Sequence, residues 1–171
     1  MKPSSSSLQI ASWNIESLTE EKLVAIQRTM EELKIDIICL QEIHKTLSGY
    51  YETDDGYLVI LSGSATNERE YAGVGFIVAP LLRKSIVGFV QASARMASLK
   101  IRIPGGKMAI FSAYAPQSGR HYDERQEFFQ NLASFVKSTS SHGPKIICGD
   151  FNARLYRRLP GEEEIMGQYI F

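Results

Sequence analysis

Apolar and polar positions along this chain follow three rhythms: alternation, a helical stripe and unbroken apolar runs. In "LQIASWN", Leu8 and Ile10 alternate with Gln9, Ala11 and Trp13, which predicts a strand ending near Asn14. In "TEEKLVAIQRTMEEL", Leu23, Ile26, Met30 and Leu33 recur at spacings of three and four, the stripe of an amphipathic helix. Thr19 stands where a helix is capped. Glu20 and Glu21 fall in the first turn, where the helix dipole favours negative charge. "IDIICLQE" reads as a buried strand from Ile35 to Leu40, with Gln41 and Glu42 at its C-terminal end.

Strand, helix and strand in this order predict a βαβ-like beginning. "YLVILSG", "GVGFIVAP", "SIVGFVQ", "ASLKIRI" and "KMAIFSAYAP" follow as short strands close together, expected to form an antiparallel meander. "PGGK", Pro104 to Lys107, is its hairpin turn. A second helix is predicted from Tyr122 to Lys137, with Phe128, Leu132, Phe135 and Val136 on one side. "SSHG" and Pro144 end it, and "KIICGD" is the last predicted strand. The tail has a turn at Pro160-Gly161 and no settled period. It stops on the apolar triplet Tyr169-Ile170-Phe171, which reads as a chain that continues in a longer parent.

Composition narrows the class. The chain has 171 residues, 44% hydrophobic and 22% charged, enough for one globular domain with a core and unlike a disordered chain. Nineteen basic residues balance nineteen acidic ones, so contact with a polyanion has to come from a local patch. Cys39 and Cys148 sit inside apolar runs, as small buried hydrophobes rather than a bridge, and no Cys or His spacing suggests zinc. No apolar run approaches the ~20 residues that span a bilayer. "MKPSSSS" lacks the apolar middle of a signal peptide. Residues Met1 to Ser7 are therefore expected to be a disordered lead-in to one domain over 8–171. The expected location is nuclear or cytoplasmic, not secreted, with no membrane partner. Oligomeric state leaves no mark in the sequence.

The candidate chemistry lies at the strand ends. Asn14, Glu42, and Asp150 with Asn152 each follow an apolar run, and strand ends along one sheet edge can converge on a ligand. Carboxylates and side-chain carbonyls are hard oxygen ligands that suit Mg²⁺ or Mn²⁺. Glu42 and Asp150 supply the one or two carboxylates Mg²⁺ takes, and the amides of Asn14 and Asn152 can orient a carboxylate, a phosphate or water. Tyr114, in "SAYAPQ", ends another strand, where a phenol can donate to a phosphate oxygen or, if ionised, move a proton. His44, His121 and His142 lie in polar stretches, where a solvated side chain is the default. Taken singly, each strand-end residue has a plain structural reading as a cap, a turn or packing. Their recurrence at four strand ends carries the functional one.

"ASWNIESL", "IICLQE", "SAYAP" and "ICGDFNA" resemble, in that order, the motif blocks of the endonuclease/exonuclease/phosphatase superfamily. Within it, "GVGFIVAPLLRKSI", "RMASLKIRIPG" and "GDFNARL…PGEEE" look most like the endonuclease domains of non-LTR retrotransposons. The resemblance implies an α+β fold, a four-layer α/β/β/α sandwich of the deoxyribonuclease I kind, of which this chain carries the N-terminal portion. It implies Mg²⁺-dependent cleavage of phosphodiesters, with Mn²⁺ an alternative ion and DNA, held by its phosphate backbone, as the partner. Glu42 matches the metal-binding glutamate, and Asn14 the asparagine that supports the metal and phosphate. Tyr114 matches the tyrosine at the scissile phosphate, and Asp150 and Asn152 the pair that positions and activates water. Arg154, Arg157 and Arg158, in "ARLYRR", are candidates for phosphate contacts, beside the reading of a solvated basic turn.

The family completes its site with a later acidic residue and an Asp-His pair near the C-terminus. This sequence contains no Asp-His dipeptide, and its last histidine, His142, precedes Asp150. The expectation is therefore a nicking endonuclease domain that carries its metal half. Two alternatives stand beside it: an inactive remnant that at most binds weakly, and a phosphatase or lipid phosphodiesterase of the same fold.

Overall fold

The computed structural model describes residues 7–64, 72–141, 143–153, 158 and 160–167. The elements run β1 (Ile10–Asn14), α1 (Glu20–Glu32), β2 (Ile37–Gln41), β3 (Gly49–Glu52), β4 (Leu58–Ser62) and β5 (Val74–Val78). A 3₁₀ turn (Pro80–Ser85) leads to β6 (Ile86–Ser93), β7 (Met96–Ile103), β8 (Gly106–Tyr114), α2 (Tyr122–Ser138) and β9 (Lys145–Asp150). They build two sheets, with strand orders β1-β2-β5-β4-β3 and β6-β7-β8-β9.

The residues of β2 show why the layers stack. Ile37 and Cys39 enter the core between the sheets with Phe76, Val78, Leu99 and Ile110. Ile38 and Leu40 point the other way, toward Ile26 and Met30 of α1. A strand covered on both faces reads as an unbroken apolar run while its side chains still alternate. On the far side, Phe128 and Leu132 of α2 pack on Met96 and Ala113. Phe135 meets Phe111 edge to face at 5.4 Å between ring centres. The result is the four-layer α/β/β/α sandwich.

Both helices are crossovers between parallel strands. α1 joins β1 to β2, and α2 joins β8 to β9. Thr19 caps α1, its hydroxyl accepting from the Lys22 amide at 3.2 Å. Leu33, predicted as part of the buried stripe, is instead the C-cap residue and 64% exposed.

The predicted meander is corrected. β4 and β5 belong to the first sheet, where β3, β4 and β5 form a meander and β5 lies between β2 and β4, while β6, β7 and β8 form a separate meander in the second sheet. Pro80 has no N–H to continue a ladder, and the 3₁₀ turn it opens separates β5 from β6. β3 was not anticipated from the pattern. All its residues are exposed, so "GYYE" shows no alternation to read. The β7–β8 turn is as expected, with Gly105 at φ 84°.

Candidate active site

Each parallel strand pair ends in register, and the two endings meet. Asn14 is paired with Gln41 at the end of β1 and β2, and Tyr114 with Asp150 at the end of β8 and β9. Across the sandwich β1 lies against β9, and β2 against β8. The Asn14 side-chain amide closes the gap, donating to Glu42 Oε1 at 2.8 Å and to Asp150 Oδ2 at 3.0 Å. A single NH₂ group thus bridges carboxylates from the two sheets. Its Oδ1 accepts from the Glu16 amide at 3.3 Å.

The backbone around these residues is held in an unusual conformation. Glu42, His44 and Asn152 have φ of 53°, 48° and 46°, in the left-handed region that non-glycine residues rarely adopt. Asn152 is pinned there: its amide donates to Asp150 Oδ1 at 2.9 Å and its side chain to the Ala115 carbonyl at 2.8 Å. Both oxygens of Asp150 therefore have donors. Gly149 lets β9 approach β8, because a Cβ there would stand 2.0 Å from the Ala113 carbonyl oxygen.

Tyr114 is buried, with the Arg95 guanidinium 5.1 Å from its ring centre and donating to its carbonyl at 3.4 Å. Burial, then hydrogen bonding to Glu42 and the Glu42 charge, push its phenol up to about 12, against opposite pulls from Gln117 and Arg95. At neutral pH Tyr114 is therefore a proton-bearing donor, not a base.

Beneath the carboxylates runs a polar chain that the sequence did not announce. Ser12 Oγ donates to Gln41 Oε1 at 3.2 Å, Gln41 Nε2 to Ser112 Oγ at 3.0 Å, and Ser112 Oγ to the Leu40 carbonyl at 2.8 Å. Gln41 and Ser112 are buried and tie one sheet to the other. Cys39 and Cys148, both free, also meet here. Their contact pushes the Cys39 thiol up and draws Cys148 down to about 7.

The sequence-derived set divides. Asn14, Glu42, Tyr114, Asp150 and Asn152 come together. Arg154 and Arg157 lie outside the described residues, as does His142. Arg158 donates to the Met166 carbonyl at 3.4 Å, a contact within the tail itself. His44 departs from the solvated default: it is half-buried, with Nε2 3.5 Å from Glu42 Oε2. His121 is exposed, as expected.

Among the described residues no group of three or more His, Cys, Asp or Glu side chains is arranged to hold a metal. The donor set is instead two carboxylates on one amide, all oxygen on the acceptor side. It fits an ion that takes one or two carboxylates and fills its remaining positions with water and phosphate. No helix among the described residues is long and apolar enough to cross a membrane.

The fold has counterparts among known proteins. The chain is 28% identical over 158 residues to craniofacial development protein 2 of Bos taurus, covering 92% of this chain and 25% of that protein. It thus spans about a quarter of that relative's length. An AP endonuclease from Archaeoglobus fulgidus has the same fold, with a TM-score of 0.64 at 23% identity over 86% of this chain and 58% of the other. So has the 3′ phosphatase NExo from Neisseria, solved bound to a product DNA hairpin. Its TM-score is 0.60 at 18% identity, covering 85% of this chain and 58% of that one. Residues 11–161 match the Endonuclease/Exonuclease/phosphatase family, and the chain belongs to it.

Proposed function

We propose that this chain carries the metal-binding half of a Mg²⁺-dependent phosphodiesterase that nicks DNA, of the retrotransposon endonuclease kind. The observation that supports it best is the convergence of Glu42 and Asp150 on the Asn14 amide. DNA as substrate draws on the likeness to NExo, whose structure holds a DNA product. The retrotransposon assignment draws on the motif blocks around Gly73, Met96 and Asp150.

In this reading Glu42 holds the ion and Asn14 keeps Glu42 and Asp150 at a fixed spacing. Bound Mg²⁺ or Mn²⁺ would offset the negative charge that develops on the phosphoryl oxygens. Tyr114, proton-bearing, donates to a non-bridging phosphate oxygen. Asp150 accepts a proton from the attacking water as the water oxygen bonds to phosphorus and the P–O bond to the leaving sugar oxygen breaks. That sugar oxygen takes a proton from solvent, and Asn152 fixes the carboxylate through its own N–H.

The test is nicking of supercoiled plasmid by the purified chain with Mg²⁺, beside its Asp150→Ala variant. Nicking that requires both the ion and Asp150 is expected if the half-site suffices. Mn²⁺ binding without nicking would move the reading to a binding remnant. Release of phosphate from a 3′-phosphorylated oligonucleotide without nicking would move it to a phosphatase.

A further inference from the structure

A cavity of about 740 Å³ opens beside Asp150, between α2 and the end of β9. Asp150, Phe151 and Asn152 line it from the β9 side, Arg125 and Phe129 from α2, and Ser118 from the loop before α2. Arg125 Nε is buried and has no acceptor among the described residues. Its guanidinium carbon lies 5.9 Å from the centre of the Tyr122 ring, which steadies the planar fork. Phe129 leaves 42% of its surface uncovered, although it sits on a helix whose neighbouring phenylalanine, Phe128, is buried.

Each feature alone has a modest meaning: a solvated hollow, a surface arginine, a stray aromatic. Together they make one chemical description. A buried guanidinium nitrogen without an acceptor is costly, and the acceptor it suits best is a phosphate or carboxylate oxygen. A second anion next to Asp150 would be repelled unless a cation offset it, and Arg125 stands on the same cavity. The exposed ring of Phe129 offers a flat apolar face within that space, the platform on which unpaired bases stack. A cation and an aromatic face lining one cavity suit a nucleotide, whose phosphate takes the first and whose base takes the second.

We infer that this cavity is a subsite for the nucleotide next to the cleaved bond, with Arg125 and Ser118 on its phosphate and Phe129 against its base. The inference rests on the phosphodiesterase reading, because Asp150 and Asn152 belong to both the cavity and the candidate site. It gives the site a grip on the strand beyond the reacting phosphate, from residues outside the strand-end motifs.

The test is binding of a fluorescein-labelled oligothymidylate by anisotropy across a salt series, in EDTA so that no cleavage intervenes. Arg125→Met is expected to weaken binding about tenfold, the scale of one charge-assisted hydrogen bond. It should also flatten the plot of log K against log salt by about 0.7, the loss of one contact to a single-strand phosphate. Arg125→Lys should keep the slope and recover part of the affinity. Phe129→Leu should weaken binding without changing the slope. An unchanged slope in Arg125→Met overturns the subsite, and a lowered unfolding midpoint in that variant would then assign Arg125 to packing. Absence of any binding by the parent chain overturns it as well. Mn²⁺ binding, followed by electron paramagnetic resonance with Glu42→Gln as control, separates the two readings. If Mn²⁺ binds through Glu42 and the slope ignores Arg125, the site stands and the subsite falls. If Glu42→Gln leaves Mn²⁺ binding unchanged while the slope depends on Arg125, the cavity stands as a nucleotide site and the phosphodiesterase reading falls.

Discussion

Asn14 is the residue on which the candidate site turns, because its NH₂ group is shared by two carboxylates. Asn14→Leu keeps most of the volume and removes the bridge. It is expected to weaken Mn²⁺ binding by about 10–100-fold, the usual effect of losing a group that orients a metal ligand, as read by titration calorimetry. Tyr114 yields a pH prediction. Its folded pKa of about 12 lies above the value of 10.0 for a free phenol. The stabilisation it contributes is therefore complete below pH 10 and is lost as pH rises toward 12. In metal-free protein, the difference in phenolate absorbance between the parent and Tyr114→Phe should show a step near the upper end of that range. A step at the ordinary phenol value would contradict the burial and the Glu42 contact. At this scale Asn14, Glu42, Tyr114 and Asp150 were legible, because a polar residue that ends an apolar run leaves a local mark. Gln41 and Ser112 were not: they lie within apolar runs, and the partner that explains each is 71 residues away. Arg95 was hidden for the same reason, since its meaning comes from Tyr114, 19 residues on. His44 was hidden although Glu42 is its near neighbour, because nothing local marks the turn that brings its imidazole to that carboxylate.

Among elements, the parallel pairs β1–β2 and β8–β9 place the site, and the tightness of their packing is testable. Ser112→Ala leaves the Gln41 amide buried without its acceptor and is expected to cost about 1–3 kcal/mol by urea unfolding. Adding Gln41→Leu should cost less than the sum of the two single changes, because the pair forms one network. Gly149→Ala forces a methyl group against the Ala113 carbonyl and should cost about 1–3 kcal/mol, the range for overpacking a tight contact. Wild-type stability in that variant would show that β8 and β9 can separate without loss. The helices were legible from their period and the caps from their chemistry. The distribution of strands between sheets was not, because alternation tells which faces are covered and not by which neighbour. Val74 to Val78, buried along its whole length, needed a sheet on both edges and cover on both faces, and only the three-dimensional arrangement says which.

For the whole molecule, the sandwich sets the site at the seam between its sheets. One carboxylate comes from the end of β2 and the other from the end of β9, and no single layer holds both. The two hydrogen-bonding partners Asn14 and Asp150 are 136 residues apart in the chain. Contacts of such long range form only after the intervening chain has been ordered. A growing polypeptide that has not yet emitted β9, or one whose sheets have failed to dock, therefore cannot bring Glu42 and Asp150 together on the Asn14 amide. Under the proposed function, any cleavage of a nucleic acid is in this way deferred during synthesis, since the residues that would carry it meet only after β9 has been made and the sheets have docked.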